Sequence, residues 1–263
     1  MEEAASRFKE MGFDLRFSPQ DDQGQPDIGV AVARRVVNDS DVLAIVGHAA
    51  SGVTIPTSEI YKDADLAMVS SSSTNPRVTE RGLNNVNRVC GRDDVQGPVG
   101  AEFAVKDLKA KHILVVHDKS AYGQGIAEDF RDRAKELGAK VDRLSGTEEK
   151  INFKPLILQM GVIKPDLVYF GGMYDQAGVL VKQMRERGVT ADFLGPDGLD
   201  SAGFVKIAQN AAKGVYYTTV AGPADKYPEA KSFIERFTAR FGRTPEAYSL
   251  YSYDAARCGA NRN

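Results

Sequence analysis

The chain has 263 residues, 42% of them hydrophobic, with 34 basic against 36 acidic side chains and a formal net charge of −2. That length suits one large domain or two small ones, and the apolar content can fill a core. The near-neutral balance gives no electrostatic basis for binding nucleic acid or an acidic membrane surface, and no apolar run is long enough to span a bilayer.

The first segment, Glu2 to Met11, places Ala4, Phe8 and Met11 on one face, which predicts a charged amphipathic helix rather than a signal peptide. Gly12 ends it. Phe13, Leu15 and Phe17 alternate with polar residues and predict a strand over 13–17. A polar loop over 18–27 leads to a helix over 28–38, with Val30, Val32, Ala33 and Val36 inward.

Residues 42–75 carry the strongest pattern. An apolar run, Val42 to Val46, ends at Gly47 and a loop of small residues, His48 to Gly52. A helix is predicted from Thr54 to Lys62, then a second apolar run from Leu66 to Val69, then five hydroxyl residues, Ser70 to Thr74. Strand, loop, helix, strand, loop is a right-handed βαβ unit. Its two loops stand at the carboxyl ends of neighbouring parallel strands, where open α/β sheets bind ligands. Ser51 precedes a helix start, whose unpartnered amides attract an anion such as a carboxylate. Ser71, Ser72, Ser73 and Thr74 add hydroxyls that donate or accept. The residues equally allow an ordinary N-cap at Ser51 and an ordinary serine turn.

Further along, 76–87 reads as loop and edge structure, and 88–90 as a short strand running into Gly91. Gly97-Pro98 opens a helix to Leu108. HILVVH, 112–117, is a buried strand, followed by a polar loop over 118–125 holding Tyr122 and a helix closed by Gly138. Strands over 141–144, 166–170, 193–194 and 214–220 alternate with helices over 152–160, 177–187 and 202–210. Phe233, Phe237 and Phe241 form one stripe of a helix over 228–241, and Thr244-Pro245 starts the last helix. Alternation throughout predicts an α/β fold with parallel sheets flanked by helices. Breaks near 91–96 and 221–223 divide the chain into 1–92 plus 222–263 and 93–221.

Tyr122-Gly123-Gln124-Gly125, between a strand and a helix and followed by Asp142, invites a dinucleotide site. The third glycine is replaced by Glu128, and the preceding loop is long, so a nucleotide-dependent α/β enzyme is the weakest of the alternatives. Asp197, in Gly195-Pro196-Asp197-Gly198, fits either a turn or a carboxylate that receives an ammonium. Tyr122 and Tyr174 both lie after strands and could wall a ligand. His48, His112 and His117 make no triad with a nucleophile, and there is no G-x-S-x-G, H-E-x-x-H or C-x-x-C, so no catalytic residue, no metal site and no cofactor is expected. Cys90 and Cys258 fit one disulfide or two buried thiols, leaning toward thiols.

Several of these segments together carry a family resemblance: Ile45-Val46-Gly47-His48 through Ser51, Pro56 to Tyr61, Ser73-Thr74-Asn75-Pro76, Thr79 to Gly82, His117-Asp118-Lys119 with Tyr122-Gly123-Gln124-Gly125, Gly171-Gly172, and Gly195-Pro196-Asp197-Gly198. In this order the chain resembles the type I periplasmic solute-binding proteins of ABC importers, the leucine/isoleucine/valine binders. The resemblance implies two lobes closing on a ligand in a cleft, an extracytoplasmic location, an amino-acid ligand, an ABC permease in the membrane as partner, and no nucleic acid. By position, Ser51 matches the family's carboxylate-binding serine. Ser72 and Thr74 match residues that bind the ligand's carboxylate and ammonium, with Ser73 beside them. Tyr122 and Tyr174 match the second lobe's contributions, Asp197 the acid that pairs with the ammonium, and Tyr251 an aromatic bordering the pocket. Asp197 is a shorter acid than the family's glutamate, and Ser72 and Ser73 make the floor more polar. A binder of an amide, urea or aromatic acid, or a receptor's sensing domain, is therefore an alternative. Against the family the chain reads as truncated at both ends, which predicts an unpaired strand edge in the first lobe.

Overall fold

In the computed structural model, which describes residues 8–10, 12, 14–220 and 222–260, strands and helices alternate along the chain. The strands are β1 (Ala44–Val46), β2 (Ala67–Ser70), β3 (Val86–Arg88), β4 (His112–His117), β5 (Lys140–Gly146), β6 (Leu167–Gly171), β7 (Asp192–Gly195) and β8 (Val215–Tyr217). The helices are α1 (Pro26–Val36), α2 (Ser51–Asp63), α3 (Asp93–Glu102), α4 (Ala121–Glu136), α5 (Lys154–Ile163), α6 (Tyr174–Glu186), α7 (Ala202–Ala208), α8 (Lys231–Phe241) and α9 (Ala247–Ala260). The chain divides into two units, Met1–Cys90 with Ala221–Asn263, and Gly91–Val220.

The second unit is a parallel sheet of order β5-β4-β6-β7-β8. Its strands are apolar on both faces because both are covered, as a parallel sheet requires. Side chains alternate across the sheet. Leu114, Val116, Val168, Phe170 and Phe193 face a core shared with Phe153, Ile157 and Met160 and with Ala177, Leu180, Val181 and Met184. Ile113, Val115, Leu167, Tyr169 and Leu194 face the opposite core, with Ala101, Ala104, Ala127, Phe130 and Ala134. Burial of each large side chain stabilises by about 1.5–3 kcal/mol, and this fixes the positions of the strand ends.

The first unit holds a parallel sheet of order β1-β2-β3, in the register Ile45 to Met68 and Met68 to Val86. Ala33, Tyr61, Met68, Val78 and Val86 make its core. Helix α9 packs on β1 and β2. Among the described residues β1 pairs with β2 alone.

Several local expectations are corrected. Residues 14–17 form no strand although Leu15 and Phe17 alternate with polar neighbours; alternation marks a face, and a strand also needs a neighbour for its backbone ladder. Phe13 and most of the helix expected over Glu2 to Met11 lie outside the described residues, residues 8–10 being helical. Helix α3 begins at Asp93, not at Gly97-Pro98, because Asp93 and Asp94 supply favourable charge in its first turn and Pro98 is taken into the interior. Tyr122 and Gly123 belong to a helix rather than a loop, since Ser120 caps α4 by accepting from Gly123 N at 2.9 Å. Cys90 is buried, and Cys258 is an exposed thiol. No helix of the described residues is long and apolar enough to cross a membrane.

Candidate functional site

Two polar clusters stand at carboxyl ends of strands, one in each unit. In the first unit the loops after β1 and β2 lie side by side because β1 and β2 are paired in parallel. The hydroxyl run is zipped onto the first loop. Ser70 Oγ and Ser73 Oγ both donate to the His48 carbonyl at 2.9 Å. Ser72 Oγ donates to the Ala49 carbonyl at 3.1 Å. Ser73 Oγ also bonds Thr54 Oγ1 at 2.7 Å. Ser73 is wholly buried, so its hydroxyl is spent inside the unit, whereas Ser72 is only partly covered.

Ser51 is the first residue of α2 and Ala50 is its N-cap, so the helix starts before the expected Thr54 and the alternative reading of Ser51 as an N-cap does not hold. Ser51 Oγ instead accepts from Asn75 N at 3.2 Å and ties the helix start to the end of the hydroxyl run. The amides of Ser51 and Gly52, at the first two helical positions, have no intrahelical acceptor. Thr74 is wholly buried, and its Oγ1 has no hydrogen-bond partner. Ser71 Oγ accepts from Ser252 Oγ at 3.2 Å, next in sequence to the half-buried Tyr251 of α9. Burial raises the Tyr251 hydroxyl pKa, so it stays a neutral phenol. Residues 49–52 and 70–76 contain no acidic or basic side chain. The cluster offers neutral donors and a helix N-terminus, the chemistry that holds a carboxylate.

One residue that shapes this cluster escaped notice in the sequence. Arg88, at the end of β3, lies beneath the loop and donates to the carbonyls of Ser73, Thr74 and Asn75. A lone arginine in a short strand gives no signal of this. His48 is a structural residue: its Nδ1 meets Asp22 Oδ2 at 2.6 Å and its Nε2 meets Tyr61 Oη at 2.9 Å. The Tyr61 hydroxyl is pushed up to about 12, by burial first and then by the Asp22 charge.

The second unit's cluster is anionic. Asp197 opens a short 3-10 turn after β7 and is 6% exposed. Tyr122 Oη donates to Asp197 Oδ1 at 2.7 Å and accepts from Gly198 N at 2.8 Å. Tyr122 is 5% exposed, so its bond to Asp197 is made in the interior of the unit. Gly198 is crowded: a Cβ there would stand 3.0 Å from Tyr122 Oη and 3.1 Å from Met173 Sδ. Tyr174, the first residue of α6, is exposed, with its ring over Gly203. Asp93, wholly buried at the start of α3, is a second acid whose charge reaches the same hydroxyls. Burial first, then the charges of Asp197 and Asp93, hold Tyr122 well above the usual phenol range. Burial, then Asp93 and Asp197, do the same at Tyr169. Gly123 of the nucleotide-like stretch serves packing, since a side chain there would strike Asp118 Oδ1 and the Gly171 carbonyl.

A family model described as periplasmic binding protein matches residues 2–261. The chain is 42% identical over 245 residues to an amino acid binding protein of Pseudomonas aeruginosa, covering 92% of this chain and 65% of that protein. It is 39% identical over 239 residues to Leu/Ile/Val-binding protein homolog 1 of Brucella abortus, covering 90% of this chain and 63% of that protein. Among solved structures it is similar to the leucine binding protein LivK of Thermotoga maritima, with TM-score 0.88, 29% identity, and coverage of 97% of this chain and 75% of that one. The chain thus spans just under two thirds of the length of these two curated relatives.

Proposed function

The chain belongs to the periplasmic binding protein family, and from that premise we propose that it is the extracytoplasmic solute-binding component of an ABC importer for a branched-chain or related amino acid. The observation that carries this is the contrast between the two clusters. The first unit offers neutral hydroxyls and helix-start amides, with the Arg88 guanidinium bonded to the loop's carbonyls and no carboxylate in the loops themselves. The second offers a buried carboxylate on a rigid turn. An α-amino acid has one group for each: its carboxylate for Ser51, Ser72 and Thr74 and the adjoining amides, its ammonium for Asp197. Ser73 fixes the loop from within, while Tyr174 and Tyr251 supply aromatic surface to the side chain. A ligand that binds one conformation better than another shifts the protein toward it, which is the change a permease can read. The protein acts without catalysis, and its partners are the amino acid and the permease. The names of the Pseudomonas and Brucella relatives support the choice of an amino acid as ligand.

Thermal unfolding in the presence of each of the twenty amino acids, urea, simple amides, benzoate and NAD tests this. Leucine, isoleucine or valine raises the melting temperature, because a ligand stabilises the state that binds it. Asp197→Ala abolishes the rise. A rise with benzoate or an amide alone overturns the amino-acid assignment, and no rise with any amino acid overturns the function.

A further inference from the structure

Tyr122 was expected at the ligand as a wall of the site. The hydroxyl is buried and bridges two neighbours of one turn: it donates to the Asp197 carboxylate at 2.7 Å and accepts from the Gly198 amide at 2.8 Å. A phenylalanine would satisfy packing alone. The hydroxyl adds a fixed rotation for the Asp197 side chain and a fixed peptide plane after it. We propose that Tyr122 is a positioning residue that holds Asp197 in the orientation that receives the ligand's ammonium, and that it thereby sets the preference for α-amino acids over acids lacking the amine; this rests on the function proposed above.

The support behind Tyr122 is rigid. Ser120 caps α4 and accepts from Gly123 N at 2.9 Å, while Asp118 accepts from Ser120 N at 2.8 Å and from Ser120 Oγ at 2.6 Å. Gly123 is pressed against Asp118 and the Gly171 carbonyl, so the first turn of α4 cannot shift relative to β6. On the other side Gly198 has no room for a side chain between Gly172, Tyr122 and Met173. A carboxylate whose orientation is already set by a locked hydroxyl loses little entropy when an ammonium arrives. The same hydroxyl remains protonated because burial and two acids disfavour its ionisation, so it always donates to Asp197.

The experiment compares two ligands of one shape, leucine and 4-methylpentanoate, which lacks the amine. Affinities are measured by calorimetry for wild type, Tyr122→Phe, Asp197→Asn and the double variant. Tyr122→Phe weakens leucine about tenfold, the effect of one hydrogen bond to a charged group, and leaves 4-methylpentanoate within about twofold. In the Asp197→Asn background, Tyr122→Phe changes leucine affinity less than about twofold, because residues that act through one another are not additive. Equal loss for both ligands, or additive losses for leucine, overturns the positioning role while leaving the function standing. A wild type that binds no amino acid overturns both.

A second measurement needs no variant and so does not depend on Tyr122→Phe folding. The Gly198 amide, which donates to Tyr122 Oη, is followed by nitrogen-15 NMR in wild type. Its resonance moves on saturation with leucine and stays in place with 4-methylpentanoate. Movement with both, or with neither, overturns the proposal.

Discussion

Arg88 Nη1 donates to the Thr74 carbonyl oxygen at 2.9 Å, and the same nitrogen reaches the carbonyls of Ser73 and Asn75, each at 3.0 Å. One cation at the end of β3 therefore sets the course of three consecutive peptide groups in the hydroxyl loop. Arg88 Nη2 also donates to Thr79 Oγ1 at 2.6 Å, which extends the same hold to the turn that follows. Hydrogen bonds from a charged donor contribute about 1.5–3 kcal/mol each and are not additive here. Arg88→Met should lower the stability of the first unit by about 3 kcal/mol in urea unfolding and lose most of the leucine-induced rise in melting temperature. Arg88→Lys should recover less than half, because an ammonium lacks the planar fork.

Thr74 gives the opposite signature. Its Oγ1 is buried without a hydrogen-bond partner, which costs the ligand-free protein about 1–3 kcal/mol. Thr74→Val removes that cost and keeps the shape. The ligand-free melting temperature should stay level or rise, while leucine affinity falls about tenfold. A variant that melts lower and binds normally would refute the part given to Thr74 in holding ligand.

Two glycines on helices separate packing from flexibility. A Cβ on Gly123 would overlap Asp118 Oδ1 and the Gly171 carbonyl, while on Gly161 of α5 it would meet nothing within 4 Å. Gly123→Ala should therefore destabilise by about 3 kcal/mol through overpacking against backbone. Gly161→Ala should stabilise by about 0.5–1 kcal/mol through helix propensity alone. Chemical denaturation of the two variants beside wild type measures both.

His117 predicts a pH dependence. Its Nδ1 accepts from Lys119 N at 3.1 Å, which requires an unprotonated Nδ1. Burial lowers its pKa from the ordinary histidine value, outweighing the opposing charges of Asp118 and Glu128. Between that lowered folded value and an unfolded value of about 6.5, the unfolded chain holds more proton. Stability thus rises with pH across this window, is complete above it, and falls on acidification through it, with a slope of at most about 1.4 kcal/mol per pH unit. His117→Asn keeps an acceptor for Lys119 and cannot titrate. Unfolding midpoints at pH 7.5 and 5.5 should differ less for this variant than for wild type.

The sequence by itself determined the alternation of strands and helices, since apolar runs such as 112–117 bounded by turn residues have no other stable home than a covered parallel sheet. It also pointed to the hydroxyl run at 70–74 and to Asp197, because unusual polar density just after an apolar run marks a strand end. What it could not give is direction and partnership. Residues 13–17 have the alternation of a strand, but only a neighbouring strand makes one, and residues 14–17 form none. Ser72, Ser73 and Thr74 are chemically similar neighbours, yet Ser72 is partly exposed, Ser73 is spent on Thr54 and on the loop after β1, and Thr74 has a buried oxygen unpartnered. Tyr122 and Asp197 lie 75 positions apart, and Arg88 binds carbonyls 13 to 15 residues before it. Such bonds follow from which strands pair and in what register, and periodicity along the chain carries no record of either, because it reports which face a residue takes and not what waits on the other side.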